Sequence, residues 1–470
     1  MPVLFIGIPL LAMVTLNIPY WSDRRFALRA VIAVSIAQFA LAAWDAGRCL
    51  TDGRTVQSAF FGIFTVDLFS AIVLGIIGLI TALAGVMSLS VITSSRFGFG
   101  NALLLLMMGM NGAVMANDVF TLYVFIEVTA SSSFLLIAIN KKLDELEGAF
   151  KYYIMSALAS TMILLSVALM FMQVGETTFA AIAAYVAGCN GSYPVTLPAA
   201  FVLYTAALCI KSGVAPFHTW VPDAHSAAPS PVSVMLAGVV IKVSGVYALI
   251  RIYRDVFLCD PAIGRVLFAL GLASILVGAM GAIGQNDIKR MLAFSSVSQI
   301  GYIVLGAATG SPLGFVGAVA HFFNHATFKS LLFVDSAAIV KQTGTRDMDE
   351  MGGLGAKMPV TGASSVLGLL SMAGIPPLSG FWSKLLIVLA VWSVSPALAL
   401  AALCASILTL GYFLILQKKV FFGKLAPKME NVSECGGELR FVQITLSALN
   451  VVVGLLFPLL LIFLRGKGLL

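Results

Sequence analysis

The chain has 470 residues, of which 60% are hydrophobic and only 10% charged. Soluble domains carry about 25% charged residues, so a string of water-soluble domains is excluded and a polytopic helical membrane protein is indicated. The net charge of +7 fits basic loops on one side of a membrane and does not point to nucleic acid.

Six cysteines are scattered (Cys49, Cys189, Cys209, Cys259, Cys404, Cys435) with no C-x-x-C pair. Neither an iron–sulfur cluster nor structural zinc is expected from them. There is no P-loop and no glycine-rich nucleotide turn, so no nucleotide site is expected. The first twenty residues lack a basic leader and a small-residue cleavage pattern, and read as a first span.

A span needs about 20 apolar residues. On that ruler fourteen helices are predicted, in an all-α bundle. The first two are Val3–Tyr20 and Phe26–Trp44, and the third is Ala59–Ser88. The fourth (Asn101–Ala116) and fifth (Val119–Ile139) are separated by Asn117-Asp118, and the sixth is Phe150–Gln173. The apolar piece Phe179–Ala187 is too short to span. The seventh, Leu197–Trp220, carries Lys211 and is expected to break at Pro216, which removes an N–H and clashes with the preceding turn. Val232–Tyr253, Val266–Ile283, Met291–Ala308 and Phe315–Val340 follow. The twelfth, Pro359–Val394, is broken again at Gly374-Ile375-Pro376-Pro377 and carries Lys384. Ala397–Leu416 and Phe441–Phe463 complete the set.

The two broken spans are five apart, so the second copy runs upside down in the bilayer. The predicted organisation is therefore residues 1–98 (helices one to three), a first inverted repeat at 99–258, a second at 259–420, and a closing loop and helix at 421–470. The repeats match loosely at Glu127–Ser131 and Phe294–Ser298, with no acid in the second. Loops on the terminal side hold seven Lys/Arg and the opposite loops sixteen, which places both termini outside and the loop Lys341–Lys357 in the cytoplasm.

Five of the 28 Lys/Arg remain, all lysine and all within predicted spans: Lys151, Lys211, Lys242, Lys329 and Lys384. Lysine can lose its proton when desolvated and arginine effectively cannot, so the set suits protons that come and go. Each would cost about 2.5–3.5 kcal/mol if alone at the bilayer centre, so each needs a carboxylate, a carbonyl or water beside it. Glu127 is the clearest buried carboxylate, while Asp67 and Asp118 sit where helix caps are expected. His321, His325 and Lys329 recur at i, i+4, i+8 on one helix face. That stripe suits either a hydrogen-bonded core pair or a proton relay, and offers too few ligands for a metal.

These residues resemble the antiporter-type membrane subunits of respiratory complex I, the D subunit of Mrp-type antiporters and the antiporter-like subunit of membrane-bound hydrogenases. The resemblance covers about 99–420 and rests on Asp118…Glu127, Lys211–Pro231, Gly238–Arg251, Gln285–Ser296 and Gly374–Lys384. It implies fourteen helices with two inverted five-helix repeats. It implies that Glu127, Lys211, Lys242 and Lys384 carry ion transfer; beside it, His218, His225, His321, His325 and Lys329 are expected to serve as the relay. It implies a proton-translocating subunit of a redox-driven complex, or else the D subunit of an Mrp-type Na+/H+ antiporter complex. No cofactor is expected in this chain; iron–sulfur and other redox centres would sit in partner subunits. Expected partners are further membrane subunits, a peripheral redox arm and lipid, in a cytoplasmic membrane of prokaryotic type. Asp335 departs from the family, where a small neutral residue is expected.

Overall fold

A computed structural model describes residues 2–18, 24–52, 56–57, 62–93, 95–189 and 191–466. The chain divides into two compact units, Met1–Gly213 with Ala227–Arg265, and Val214–Ser226 with Val266–Leu470.

The first unit begins with α1 (Pro2–Leu16) and α2 (Arg24–Asp52), followed by a two-residue ribbon of β1 (Val56–Gln57) against β2 (Thr65–Val66). Then come α3 (Leu68–Val91), α4 (Arg96–Met115), α5 (Val119–Ile137), α6 (Leu143–Val174), the short α7 (Phe179–Gly188) and α8 (Thr196–Ser212). The intervening α9 (Trp220–Ala227) lies almost wholly in the second unit. The first unit resumes with α10 (Ser230–Val256). The second unit continues through α11 (Pro261–Ile283), α12 (Ile288–Ala308), α13 (Pro312–Thr343), α14 (Pro359–Ala373), α15 (Ser379–Val394), α16 (Pro396–Phe421) and α17 (Gly437–Gly466). With α8–α9 and α14–α15 each read as one interrupted span, the described residues hold the fourteen spans expected, and α7, with ten residues, is too short to cross.

Caps explain where the helices start. Asp67 accepts from Ser70 N at 2.8 Å and sets the first turn of α3. The third span therefore starts at Leu68 and not at Ala59; residues 59–61 lie outside the described residues. Asp118 accepts from Phe120 N (3.0 Å) and Thr121 N (2.7 Å) to open α5, and Asp287 accepts from Arg290 N (3.0 Å) to open α12. Each satisfies helix-end donors that apolar surroundings would leave orphaned.

The break in the seventh span comes from glycine and not from proline. α8 stops at Ser212 because Gly213 turns left-handed (φ 65°), three residues before Pro216. α14 stops in the same way at Gly374 (φ 85°), two residues before Pro376. Only glycine adopts this conformation without steric cost.

The structure also places two charges that the sequence did not. Arg251, counted among the seven terminal-side loop charges although the predicted span Val232–Tyr253 contains it, lies inside α10 and pairs with Asp67, with Asp255 (3.1 Å) and with the Tyr247 hydroxyl (2.8 Å). Burial alone would raise the Asp67 carboxyl, but the Arg251 guanidinium and the Ser70 donors hold it down to about 2. Lys151, which from the sequence could belong to the path or snorkel, lies on the outer face of α6 and pairs with Glu147 at 2.7 Å, one turn away. Its stem is long enough to carry the ammonium out of apolar surroundings.

Candidate ion-transfer sites

In the first unit, α8 brings Lys211 against α5 and α6. Its ammonium is buried, with side-chain exposure of 1%. It donates to Glu127 Oε1 at 3.0 Å, to Ser156 Oγ at 2.6 Å and to Ser160 Oγ at 3.1 Å. Ser160 also donates to Glu127. All three hydrogens of the ammonium therefore have an acceptor, which is the condition for keeping such a charge out of water. Glu127 itself is less buried than expected. Its side chain is 34% exposed. Ser156 and Ser160 were not among the sequence candidates; their i, i+4 spacing in an apolar helix was the available signal.

Lys242 lies on α10 of the same unit and is wholly buried. The helix widens to π turns over Leu236–Val240 and Lys242–Tyr247. Widened turns leave carbonyls short of regular partners, and the Lys242 ammonium takes two of them, Gly238 O at 2.9 Å and Ala237 O. Among the described residues no carboxylate lies within ion-pair distance of Lys242. α10 meets α8 at Gly245, where a Cβ would overlap Ser212, the neighbour of Lys211. The two lysine-bearing helices thus touch backbone to backbone one residue from Lys211.

The second unit holds the remaining candidates. His321 and His325 stack on α13 with ring centroids 6.3 Å apart and planes within 4°. His321 Nδ1 lies 2.9 Å from Ser383 Oγ, which also accepts from Asn324 at 3.0 Å. One turn beyond His325, Lys329 donates to Leu292 O at 2.9 Å and to Ser295 Oγ, both on α12. The predicted stripe is therefore a real, fully buried face. Lys384 on α15 places its ammonium 4.6 Å from the Tyr302 ring centre and 3.4 Å from Ala373 O, at the end of α14. A cation over an aromatic face is stabilised without an acid beside it.

His218 and His225 occupy the segment after Gly213. His225 Nδ1 is 2.9 Å from Val221 O and its ring faces Phe333. His218 faces Phe294 at 6.1 Å. Between them Asp223 anchors the segment to Arg290 at 2.5 Å. Lys289, expected from the sequence to lie in a loop, is buried at the start of α12.

The two repeats share a common register. Gly112 and Gly281 each lie against a ring, Phe125 and Phe294, where any Cβ would overlap it. Asp118 bridges to Thr178, and Asp287 bridges to Asp347. α6 and α13, each of 32 residues, end on left-handed Gly175 and Gly344. Every pair is 169 positions apart (112 to 281, 118 to 287, 175 to 344). The loose match of Glu127 to Phe294 is thus two positions out of register, and Glu127 corresponds to Ser296. On the same offset, Ser156 and Ser160 correspond to His325 and Lys329.

Known proteins share this architecture. The D subunit of the Na+/H+ antiporter of Alkalihalophilus pseudofirmus is 28% identical over 434 residues, 91% of this chain and 87% of that protein. The NADH-quinone oxidoreductase subunit N 1 of Rhizobium meliloti is 32% identical over 396 residues, covering 82% and 80%. A chain of the membrane-bound sulfane sulfur reductase, an archaeal respiratory membrane complex, superimposes with a TM-score of 0.90 at 26% identity over 99% of this chain and 96% of its own. Residues 116–409 match the family described as NADH:quinone oxidoreductase/Mrp antiporter, transmembrane. That stretch takes in the Glu127–Lys211 pair, Lys242, the histidine stripe and Lys384, and the chain belongs to the NADH:quinone oxidoreductase/Mrp antiporter family of membrane proteins.

Proposed function

We propose that this chain is a proton-translocating, antiporter-like subunit of a multisubunit, redox-driven membrane complex. One observation carries the reading: a buried lysine, Lys211, is held at 3.0 Å by Glu127 and by two serine hydroxyls. While Glu127 is ionised and close, its charge keeps Lys211 protonated. When Glu127 withdraws or is neutralised, the lysine is left in apolar surroundings that penalise its charged form, and it gives up its proton. Lys242 on the neighbouring helix accepts that proton as a neutral amine and, once charged, is held by the Ala237 and Gly238 carbonyls. Within the second unit, His321, His325 and Lys329 form the relay and Lys384 exchanges with one bulk phase. His218 and His225 belong to the same relay.

Moving one charge against 100 mV requires about 2.3 kcal/mol, so the drive comes from outside this chain. Redox centres, iron–sulfur clusters among them, belong on this reading to a peripheral arm, and this chain binds none. Further antiporter-like and small membrane subunits flank it in the lipid of a cytoplasmic membrane, with both termini outside.

A second reading, Na+/H+ exchange as the D subunit of an Mrp-type complex, is favoured by the 91% coverage of this chain in the alignment with that subunit. Sodium is bound by carboxylates and carbonyls, and the buried groups here are mostly lysine and histidine, which favours protons.

The test is ion translocation by inverted membrane vesicles carrying the intact complex. A pH-sensitive dye is followed with and without sodium in wild type, Lys211→Ala and Glu127→Gln. Assembled variants that lose the proton signal support the reading. Assembled variants that pump normally show the charges to be structural and overturn it.

A further inference from the structure

Asp335 has no part in the relay above, and it is the most deeply buried carboxyl group in the second unit, 2% exposed. It lies on α13 six residues after Lys329, about 9 Å further along the axis. Oδ1 accepts from Ser364 Oγ of α14 at 2.6 Å and from Gln443 Nε2 of α17 at 2.9 Å. Oδ2 is buried with no hydrogen-bond partner. The same Gln443 amide donates to Thr361 Oγ1 at 3.1 Å, and that hydroxyl donates to Glu434 Oε1 at 2.7 Å. Glu434 stands at the loop end of this network, half-buried, and accepts from Val360 N at 2.8 Å and Thr361 N at 3.3 Å. Burial would raise its carboxyl, but these donors hold it below the usual glutamate range. The Cys435 thiol completes the cluster, donating to Gln443 Oε1 at 3.4 Å. α14 contributes no titratable side chain, since residues 359–373 contain none.

A buried carboxyl group with one bonded oxygen and one bare one is costly as an anion. Such a group is either a proton carrier or a ligand. The neighbours decide between these. Ser364 and Gln443 both point donors at Oδ1 and so present hydrogens, not lone pairs, to the carboxyl group. A metal or sodium ion needs several oxygens turned toward it, whereas a proton needs one free oxygen, which Oδ2 supplies.

We propose that Asp335 and Glu434 form a proton port, joining the buried relay of the second unit to the aqueous face that bears the 344–358 loop. Bulk water protonates the Glu434 carboxylate. The resulting acid passes one proton inward to the Asp335 carboxylate, leaving Glu434 ionised for the next. Asp335 then passes that proton on towards the neutral amine of Lys329, less than two turns away along the same helix, and returns to the carboxylate. Gln443 holds the two carboxyl groups in one network and sets their separation.

This inference rests on the proposed function, and the test separates the two. Inverted vesicles carrying the intact complex are compared for wild type, Asp335→Asn, Asp335→Glu, Glu434→Gln and Lys211→Ala, with dye-reported proton flux and 22Na+ flux over a pH series. Asp335→Asn keeps the shape and the two accepted hydrogen bonds but cannot carry a proton. It should lower proton flux about ten-fold, and Asp335→Glu should restore much of it. Glu434→Gln should slow flux several-fold at alkaline pH, where protons are scarce, and little at acid pH. Wild-type flux in Asp335→Asn and Glu434→Gln at every pH, with Lys211→Ala inactive, overturns the port alone. Wild-type flux in Lys211→Ala overturns the function on which it rests. Loss of 22Na+ flux in Asp335→Asn with proton flux intact makes the group a cation ligand and also overturns the port.

Discussion

The two repeats build the same scaffold and fill it differently. In the first, α6 offers Ser156 and Ser160 to a lysine arriving from α8, and α5 supplies the balancing Glu127. In the second, the corresponding positions of α13 are His325 and Lys329, and the counterpart of Glu127 is Ser296, which bonds to its own helix at Leu292 O, 3.2 Å. One repeat thus holds a cation from outside the six-helix position with an acid and two hydroxyls. The other carries its cation on that helix itself and steadies it with a carbonyl and one hydroxyl of α12. The backbone register is fixed by glycines and caps, so polar content is free to differ while helix geometry stays the same.

The largest effect should come from breaking that difference at its acid. Glu127→Ala leaves the Lys211 charge buried and uncompensated, a loss of about 3 kcal/mol, at the low end for buried pairs because part of Glu127 is exposed. Ser296→Ala should stay within about 0.5 kcal/mol, since its hydroxyl bonds locally. Thermal denaturation of the purified complex reads both; equal losses would refute the assignment of these positions as functional opposites.

A smaller effect sharpens what the repeats share. Gly112→Ala and Gly281→Ala each drive a methyl into a phenylalanine ring, at about 1–3 kcal/mol of overpacking. The two losses should agree within about 0.5 kcal/mol. Smallest are the caps. Asp118→Ala should cost about 1 kcal/mol and Asp287→Ala slightly less, as Asp118 satisfies two backbone donors and Asp287 one. Hydrogen exchange at the first turns of α5 and α12 reads this directly, and equal protection in variant and wild type would remove the capping role.

Much was legible from the chain alone because hydrocarbon leaves few options. A span must be a helix of a given length, and a charge inside it must have a reason. Span number, the two breaks and the identity of Lys211, Lys242 and Lys384 follow from that, as does the His321–His325–Lys329 face from a period of four. The non-spanning α7 follows from length. The sequence could not separate Lys151 from the other lysines, because whether a lysine faces outward depends on which side of α6 meets α8. It counted Arg251 with the loop charges although the predicted span Val232–Tyr253 contains it, because its partner Asp67 comes from another helix end 184 positions away. It missed Ser156, Ser160 and the π turns around Lys242, since a serine becomes a ligand only when another helix brings a cation to it.

The sequence by itself determined a helical membrane bundle, its repeat and its store of buried protonatable groups, for composition and periodicity are local and hydrocarbon enforces them. Tertiary packing alone decided which groups meet. It set Glu127 against Lys211 across 84 positions, and Asp335 beside Gln443 across 108. Contacts that distant depend on the crossing of whole helices, which no local pattern records.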